Sequence, residues 1–199
     1  MRVDTGSFEE LYASASDGDP WRFDSSPYEL DKYATTIANL GRDRYRRCFE
    51  PGCSIGVLTE RLAARAERVV ACDVSQTAIA VARRRLASVE GVELVAASVP
   101  EWWPDGDFDL IVLSDFGYYW DRDGLDDIVE SLRTRLRPAS ELVAVHWLGH
   151  SDDHLLGGHD VHERLVAGLG PSQLHLEPPP QDDDHGEPQQ FVLDRWTWS

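Results

Sequence analysis

The segment Phe49-Glu50-Pro51-Gly52-Cys53-Ser54-Ile55-Gly56, followed at the end of the next apolar run by Cys72-Asp73-Val74-Ser75, has the layout of a nucleotide-type binding site. A dinucleotide fingerprint G-x-G-x-x-G needs a glycine at position 54 and a different spacing; this turn offers only Gly52 and Gly56. Glu50, at a strand tip, opposes an anion approaching the N-terminus of the following helix, so pyrophosphate is disfavoured and a cation favoured. Asp73 is placed to accept hydrogen bonds from both hydroxyls of a ribose. Together these residues suit S-adenosylmethionine, which carries a ribose, an α-ammonium and a sulfonium but no phosphate.

A second group follows the fourth and fifth apolar runs: Asp115, Tyr118, Tyr119 and His146. Methyl transfer is an in-line displacement on an activated carbon, so positioning and exclusion of water supply most of the catalysis. An amine acceptor must lose a proton to free its lone pair, and a hydroxyl needs a base more strongly. Asp115 or His146 is the candidate to take or relay that proton, with Tyr118 and Tyr119 shaping the pocket. The plainer alternative is that Tyr118, Tyr119 and Trp120 pack the next helix and His146 is a satisfied polar strand end. A protein that binds the methyl donor without turnover is a further alternative.

His146, His150, His154, His159 and His162 crowd one segment with Asp152, Asp153 and Asp160. A metal site is the rival reading, but the segment has no H-E-x-x-H and no cysteine, and His159 and His162 sit at i, i+3 on an expected exposed helix start. We expect no metal.

Around these residues the chain must build a scaffold. Its 199 residues, 42% hydrophobic, are enough for one core, and the expectation is one domain over 1–199: an N-terminal lid and helix (1–40), a donor-binding core (41–170) and a closing hairpin (171–199). Acidic residues number 36 against 19 basic, a formal charge of -17, with Lys32 the single lysine. That surface repels phosphate backbones and anionic headgroups, so neither nucleic acid nor membrane is an expected partner. The N-terminus lacks a basic region followed by an apolar run, and the expected location is cytoplasmic. Cys48, Cys53 and Cys72, an odd number without metal-type spacing, read as reduced core residues.

Ser26, Pro27 and Glu29 form a capping-box arrangement opening a helix whose Leu30, Tyr33, Ala34 and Ile37 recur at helical spacing. Strands are expected at 45–50, 68–73, 92–98, 108–115 and 141–147, with helices at 56–66, 75–87, 124–136 and 159–169. Runs 172–178 and 190–198 read as two closing strands, with an acidic, proline-rich solvated loop between them. Continuously apolar strands are covered on both faces. The expected fold is α/β: a Rossmann-like, doubly wound, mostly parallel seven-stranded sheet with a C-terminal antiparallel hairpin.

The segments DPWRFDSSPYELDKYATTIANL, RYRRCFEPGCSIGVLTERLAAR, CDVS, WPDGDFDLIVLSDFGYYW and AVHW resemble class I S-adenosylmethionine-dependent methyltransferases, specifically the nodulation protein S (NodS-like) branch, from about Asp19 to His162. The resemblance implies that Gly52, Cys53 and Gly56 let backbone approach the methionine part of the cofactor, with Glu50 near its ammonium, Asp73 on the ribose and Val74 against adenine. It also implies that Trp21 and Arg22 fold over the cofactor, Arg22 pairing with its carboxylate, that Tyr33 faces the same cleft, and that Ser114 is a cofactor-binding residue. Relatives usually carry an aspartate toward the adenine amino group where this chain has Ser98, a weaker partner that acts with the Val99 backbone. Asp115 stands where many relatives have a glutamate, one carbon longer. The product would be S-adenosylhomocysteine. The implied acceptor is a small molecule or glycan, with N-methylation of a deacetylated amino sugar foremost and O-methylation of a small molecule the alternative.

Overall fold

The computed structural model describes residues 4–183 and 185–198; the outermost residues of the expected 1–40 and 171–199 segments, and Asp184 in the acidic loop, lie outside the described residues. Helix α1 (Thr5–Ser14) and α2 (Pro27–Ala38) precede β1 (Tyr45–Pro51), α3 (Val57–Ala63), β2 (Ala66–Asp73), α4 (Gln76–Arg85) and β3 (Val92–Ala96). The second half runs β4 (Leu110–Ser114), a 3-10 turn (Gly117–Tyr119), α5 (Arg122–Arg135), β5 (Glu141–Trp147), α6 (Gly158–Leu169), β6 (Leu174–Leu176), β7 (Gln181–Asp182), β8 (Pro188–Gln189) and β9 (Phe191–Thr197).

Seven strands form one sheet in the order β3-β2-β1-β4-β5-β9-β6. The first five are parallel, and β9 inserts antiparallel between β5 and β6, with Val145 opposite Leu193 and Leu176 opposite Leu193 on its other edge. The strand order reverses beside β1, which opens a crevice at the carboxyl ends of β1 and β4.

Period-two alternation divides each central strand between two cores. Cys48, Val69, Val112 and Val143 pack with α2, α3 and α4 residues such as Tyr33, Leu62 and Ile79. Their neighbours Phe49, Val70, Leu113 and Leu142 pack on the opposite face with Leu125, Ile128 and Leu132 of α5 and Leu165 of α6. All three cysteines are free and buried. No helix among the described residues is long and apolar enough to cross a membrane.

Four local expectations are revised. On α2 the buried stripe is Tyr28, Lys32, Tyr33 and Thr36, while Ala34 is exposed. Ser26 precedes that helix but makes no side-chain capping bond, and the Glu29 carboxylate is turned to Lys32 instead of back to the helix start. Helix α3 stops at Ala63, since Ala66 is already buried in β2. The acidic loop is not wholly irregular: β7 and β8 pair as a two-residue ladder.

Candidate active site

The turn after β1 holds three left-handed residues in close succession, Gly52 (φ 73°), Ser54 (φ 50°) and Gly56 (φ 81°). The amides of Gly52 and Cys53 both donate to the Cys72 carbonyl, at 2.7 and 2.9 Å, which ties the turn to the end of β2. A Cβ on Gly52 would stand 2.9 Å from the Phe116 ring, whereas one on Gly56 would press on Ala82 and Leu86. Gly52 therefore keeps the turn close to β4, and Gly56 keeps α3 close to α4.

Two buried carboxylates face this turn. Oδ2 of Asp73 accepts from the Ser54 amide and Oδ1 from the Ser75 amide, both at 2.9 Å. Burial pushes its carboxyl up to about 6 against the pull of those amides. Glu50 accepts a 2.6 Å bond from the Thr59 hydroxyl, and burial raises it to about 8. A cation entering here would be met by carboxylates with spare acceptor capacity.

Both line a cavity of about 370 Å³ that continues past Gly52, Cys53, Val74, Ser98, Val99 and Ser114. The N-terminal segment closes its donor end. Glu9 on α1 accepts from the Ser75 and Thr77 hydroxyls at the start of α4, and the Tyr12 hydroxyl donates to Ser54 Oγ at 2.6 Å. Trp21 lies against Tyr12 and stacks on Phe23, with ring centroids 5.3 and 5.5 Å apart. Phe8 sits edge-on to Tyr119 at 4.8 Å. Arg22 is exposed at φ 57° and, like Gly56, is not part of the cavity wall.

The far end of the cavity is built around Lys32, whose side chain is 1% exposed. Its ammonium meets Oε1 and Oε2 of Glu29 at 3.0 and 2.9 Å and Oδ2 of Asp115 at 2.5 Å. Oδ1 of Asp115 accepts from the Trp147 amide at 2.8 Å and the Tyr118 hydroxyl at 3.0 Å. Burial pushes the Asp115 carboxyl up, but Lys32 and these donors outweigh it and hold it below the usual carboxylate range. Glu29 has fewer donors, so burial wins and its carboxyl is raised. Tyr33, Tyr119, Trp147, Asp153, Asp183 and Gln189 complete this wall, with the His154 ring stacked 3.8 Å from that of Tyr118.

His146 does not belong to that wall. It is fully buried, Nε2 accepts from the Gly117 amide at 3.0 Å, and Nδ1 lies 3.0 Å from Nε2 of His162. Access to an acceptor is blocked by the turn that it supports. His162, expected on an exposed helix start, is buried because Asp194 of β9 holds its Nδ1 at 2.6 Å. His159 is exposed as expected. Among the described residues no group of three or more His, Cys, Asp or Glu side chains is arranged to hold a metal ion.

Glu29, Lys32, Tyr12 and Phe8 were not singled out for the site from sequence. The available signal was Lys32 itself, the one lysine, placed four residues after Tyr28 and three after Glu29 on the same helical face.

Residues 7–162 match the family of nodulation protein S (NodS). Nodulation protein S of Rhizobium tropici is 31% identical over 144 residues, covering 69% of this chain and 58% of the relative. The Bradyrhizobium diazoefficiens protein of the same name is 34% identical over 113 residues, covering 56% and 52%. The chain thus spans between half and two thirds of these relatives. A solved candidate methyltransferase from Pseudomonas syringae is 37% identical with a TM-score of 0.70, over 85% of this chain and 97% of that one. N-methyltransferase NodS from Bradyrhizobium japonicum WM9, solved in complex with S-adenosyl-L-homocysteine, superposes with a TM-score of 0.77 over 96% of each chain at 24% identity, a likeness of fold.

Proposed function

The chain belongs to the nodulation protein S family, and from that membership and the shape of the cavity we propose that it is an S-adenosylmethionine-dependent N-methyltransferase of a small-molecule or glycan amine, acting in the cytoplasm. One observation carries the reading: two buried carboxylates, Asp73 and Glu50, flank a glycine turn in the wall of the cavity. A ribose and an ammonium satisfy that pair; a pyrophosphate would be repelled by it.

In this reading Asp73 holds the ribose hydroxyls, Glu50 takes the ammonium, and the backbone of Gly52 and Cys53 lies along the methionine portion. Val74, Ser98 and Val99 form the adenine wall. Trp21, Tyr12 and Phe8 shut water out above the donor, and Ser114 marks the passage to the acceptor end. Bound S-adenosylmethionine supplies a methyl group activated on a sulfonium, so the protein's task is to align the acceptor and keep the site dry. Tyr33, Tyr118 and Tyr119 bound the acceptor space. The carboxylates around it suit a cationic amine such as that of a deacetylated amino sugar.

Isothermal titration of S-adenosylmethionine and S-adenosylhomocysteine into the wild type and Asp73→Ala tests this, with NADH as control. Micromolar binding lost in the variant supports it. Binding of NADH alone, or of neither donor nor product, removes it.

A further inference from the structure

The two carboxylates that share Lys32 are not equivalent, and the difference assigns them separate tasks. Asp115 is committed: one oxygen serves the Trp147 amide and the Tyr118 hydroxyl, the other the Lys32 ammonium. Glu29, equally exposed at 13% of its side chain, lines the same cavity but among the described residues is held only from its own helix, by Lys32 and the Tyr33 hydroxyl. The three groups carry two negative charges and one positive, sealed beneath the acceptor space. A net negative charge there has no other buried cation to neutralise it among the residues lining the cavity.

The geometry points to Glu29 as the residue that takes the proton from the acceptor's ammonium, with Lys32 and Asp115 as its positioning residues. This rests on the methyltransferase reading above and specifies it: the acceptor is a primary or secondary amine that arrives protonated. The ammonium proton passes to a Glu29 oxygen and leaves a lone pair on nitrogen. As the nitrogen–carbon bond forms, the donor's carbon–sulfur bond breaks, its electron pair stays on sulfur, and nitrogen regains its positive charge. Glu29 then releases the proton through the cavity to solvent. Paired carboxyls whose surroundings drive their protonation apart are the common means of making such an assignment. Here burial raises Glu29 while Lys32 and the donors on it hold Asp115 down. The groups facing Glu29 are Lys32, Tyr28 and Tyr33 on α2, Asp115 after β4, and Tyr118 and Tyr119 on the 3-10 turn. All four tyrosine hydroxyls stay neutral because burial raises them, so none competes as a base.

The experiment compares wild type, Glu29→Gln and Glu29→Asp in three readouts: S-adenosylhomocysteine titration, the pH profile of methylation of a β-1,4-linked glucosamine dimer, and the carbon-13 signal of the Glu29 carboxyl. That signal is assigned by its loss in Glu29→Gln. Expected are donor-product affinity within about twofold in all three and a fall in kcat of about 10²-fold or more in Glu29→Gln near neutral pH. That deficit shrinks as alkaline pH supplies free amine. The Glu29 signal shifts when the dimer is added to protein loaded with S-adenosylhomocysteine. Glu29→Asp keeps part of the rate and serves if Glu29→Gln does not fold. Kcat within about threefold of wild type in Glu29→Gln at neutral pH, or a carboxyl signal indifferent to the dimer, overturns the assignment. A wild type that binds S-adenosylhomocysteine but methylates only hydroxyls overturns it too, leaving donor binding intact. Failure to bind S-adenosylhomocysteine removes the methyltransferase reading itself.

Discussion

Nδ1 of His146 lies 3.0 Å from Nε2 of His162, and the two ends of this line fix where its protons sit. The Gly117 amide donates to Nε2 of His146, so the ring proton is on Nδ1 and points at His162. The His162 proton must then be on Nδ1, where it meets Asp194 at 2.6 Å. Both imidazoles are neutral, and burial lowers the pKa of each. Together they brace the turn that carries Tyr118.

A neutral buried histidine contributes stability that is present above its ordinary value of 6.5 and is lost as pH falls below it, because the unfolded chain then binds the proton first. Urea unfolding is therefore expected to show stability dropping below about pH 6.5, and His146→Leu with His162→Leu to flatten that slope. A slope unchanged in the double variant would assign it elsewhere.

Asp194→Asn should cost about 1–3 kcal/mol, since the asparagine NH2 must face either His162 on one side or Ser172 and His175 on the other, all of which now donate to the carboxylate. Thermal melts at neutral pH measure it. A neutral outcome would mean that the three partners reorganise freely.

Glu50 behaves in the opposite sense to the histidines. Its folded value of about 8 lies above the ordinary 4.5, so its contribution is whole below 4.5 and is lost as pH rises through 8. Glu50→Gln should make the ligand-free protein more stable than wild type near pH 9 and no more stable near pH 4, while weakening S-adenosylhomocysteine binding. Paired unfolding and titration curves decide it; a variant less stable near pH 9 contradicts the burial argument.

Lys32→Met leaves Glu29 and Asp115 buried together without their cation. The expected loss is about 3–5 kcal/mol near neutral pH, recovering in part as acid protonates the carboxylates. Denaturant midpoints at about pH 7.5 and 5 are the measurement. A loss independent of pH would indicate packing of the lysine stem instead.

Gly52→Ala combines a left-handed backbone with a Cβ 2.9 Å from Phe116. The conformation alone costs about 1–2 kcal/mol, and the contact adds to it. The same change should impair donor binding by pushing the turn into the cavity. Retained affinity with lowered stability would separate the two effects.

Much of this protein was legible in its sequence. Period-two and period-3.6 patterns fixed the alternation of strands and helices, because burying an apolar face leaves few ways to place residues such as Val112 and Leu113 on opposite sides of a sheet. Gly52, Glu50 and Asp73 were readable as a set because a turn between consecutive elements is local, and its chemistry travels with a short stretch of chain. The acceptor end was not. Lys32, Asp115 and Trp147 come from α2, the end of β4 and β5, and no spacing along the chain records that they meet. Which carboxylate is the more heavily bonded, and whether His146 faces a cavity or a backbone amide, depends on partners brought together from distant strands. Only packing in three dimensions decides that, because desolvation and hydrogen bonding act across space and not along the sequence.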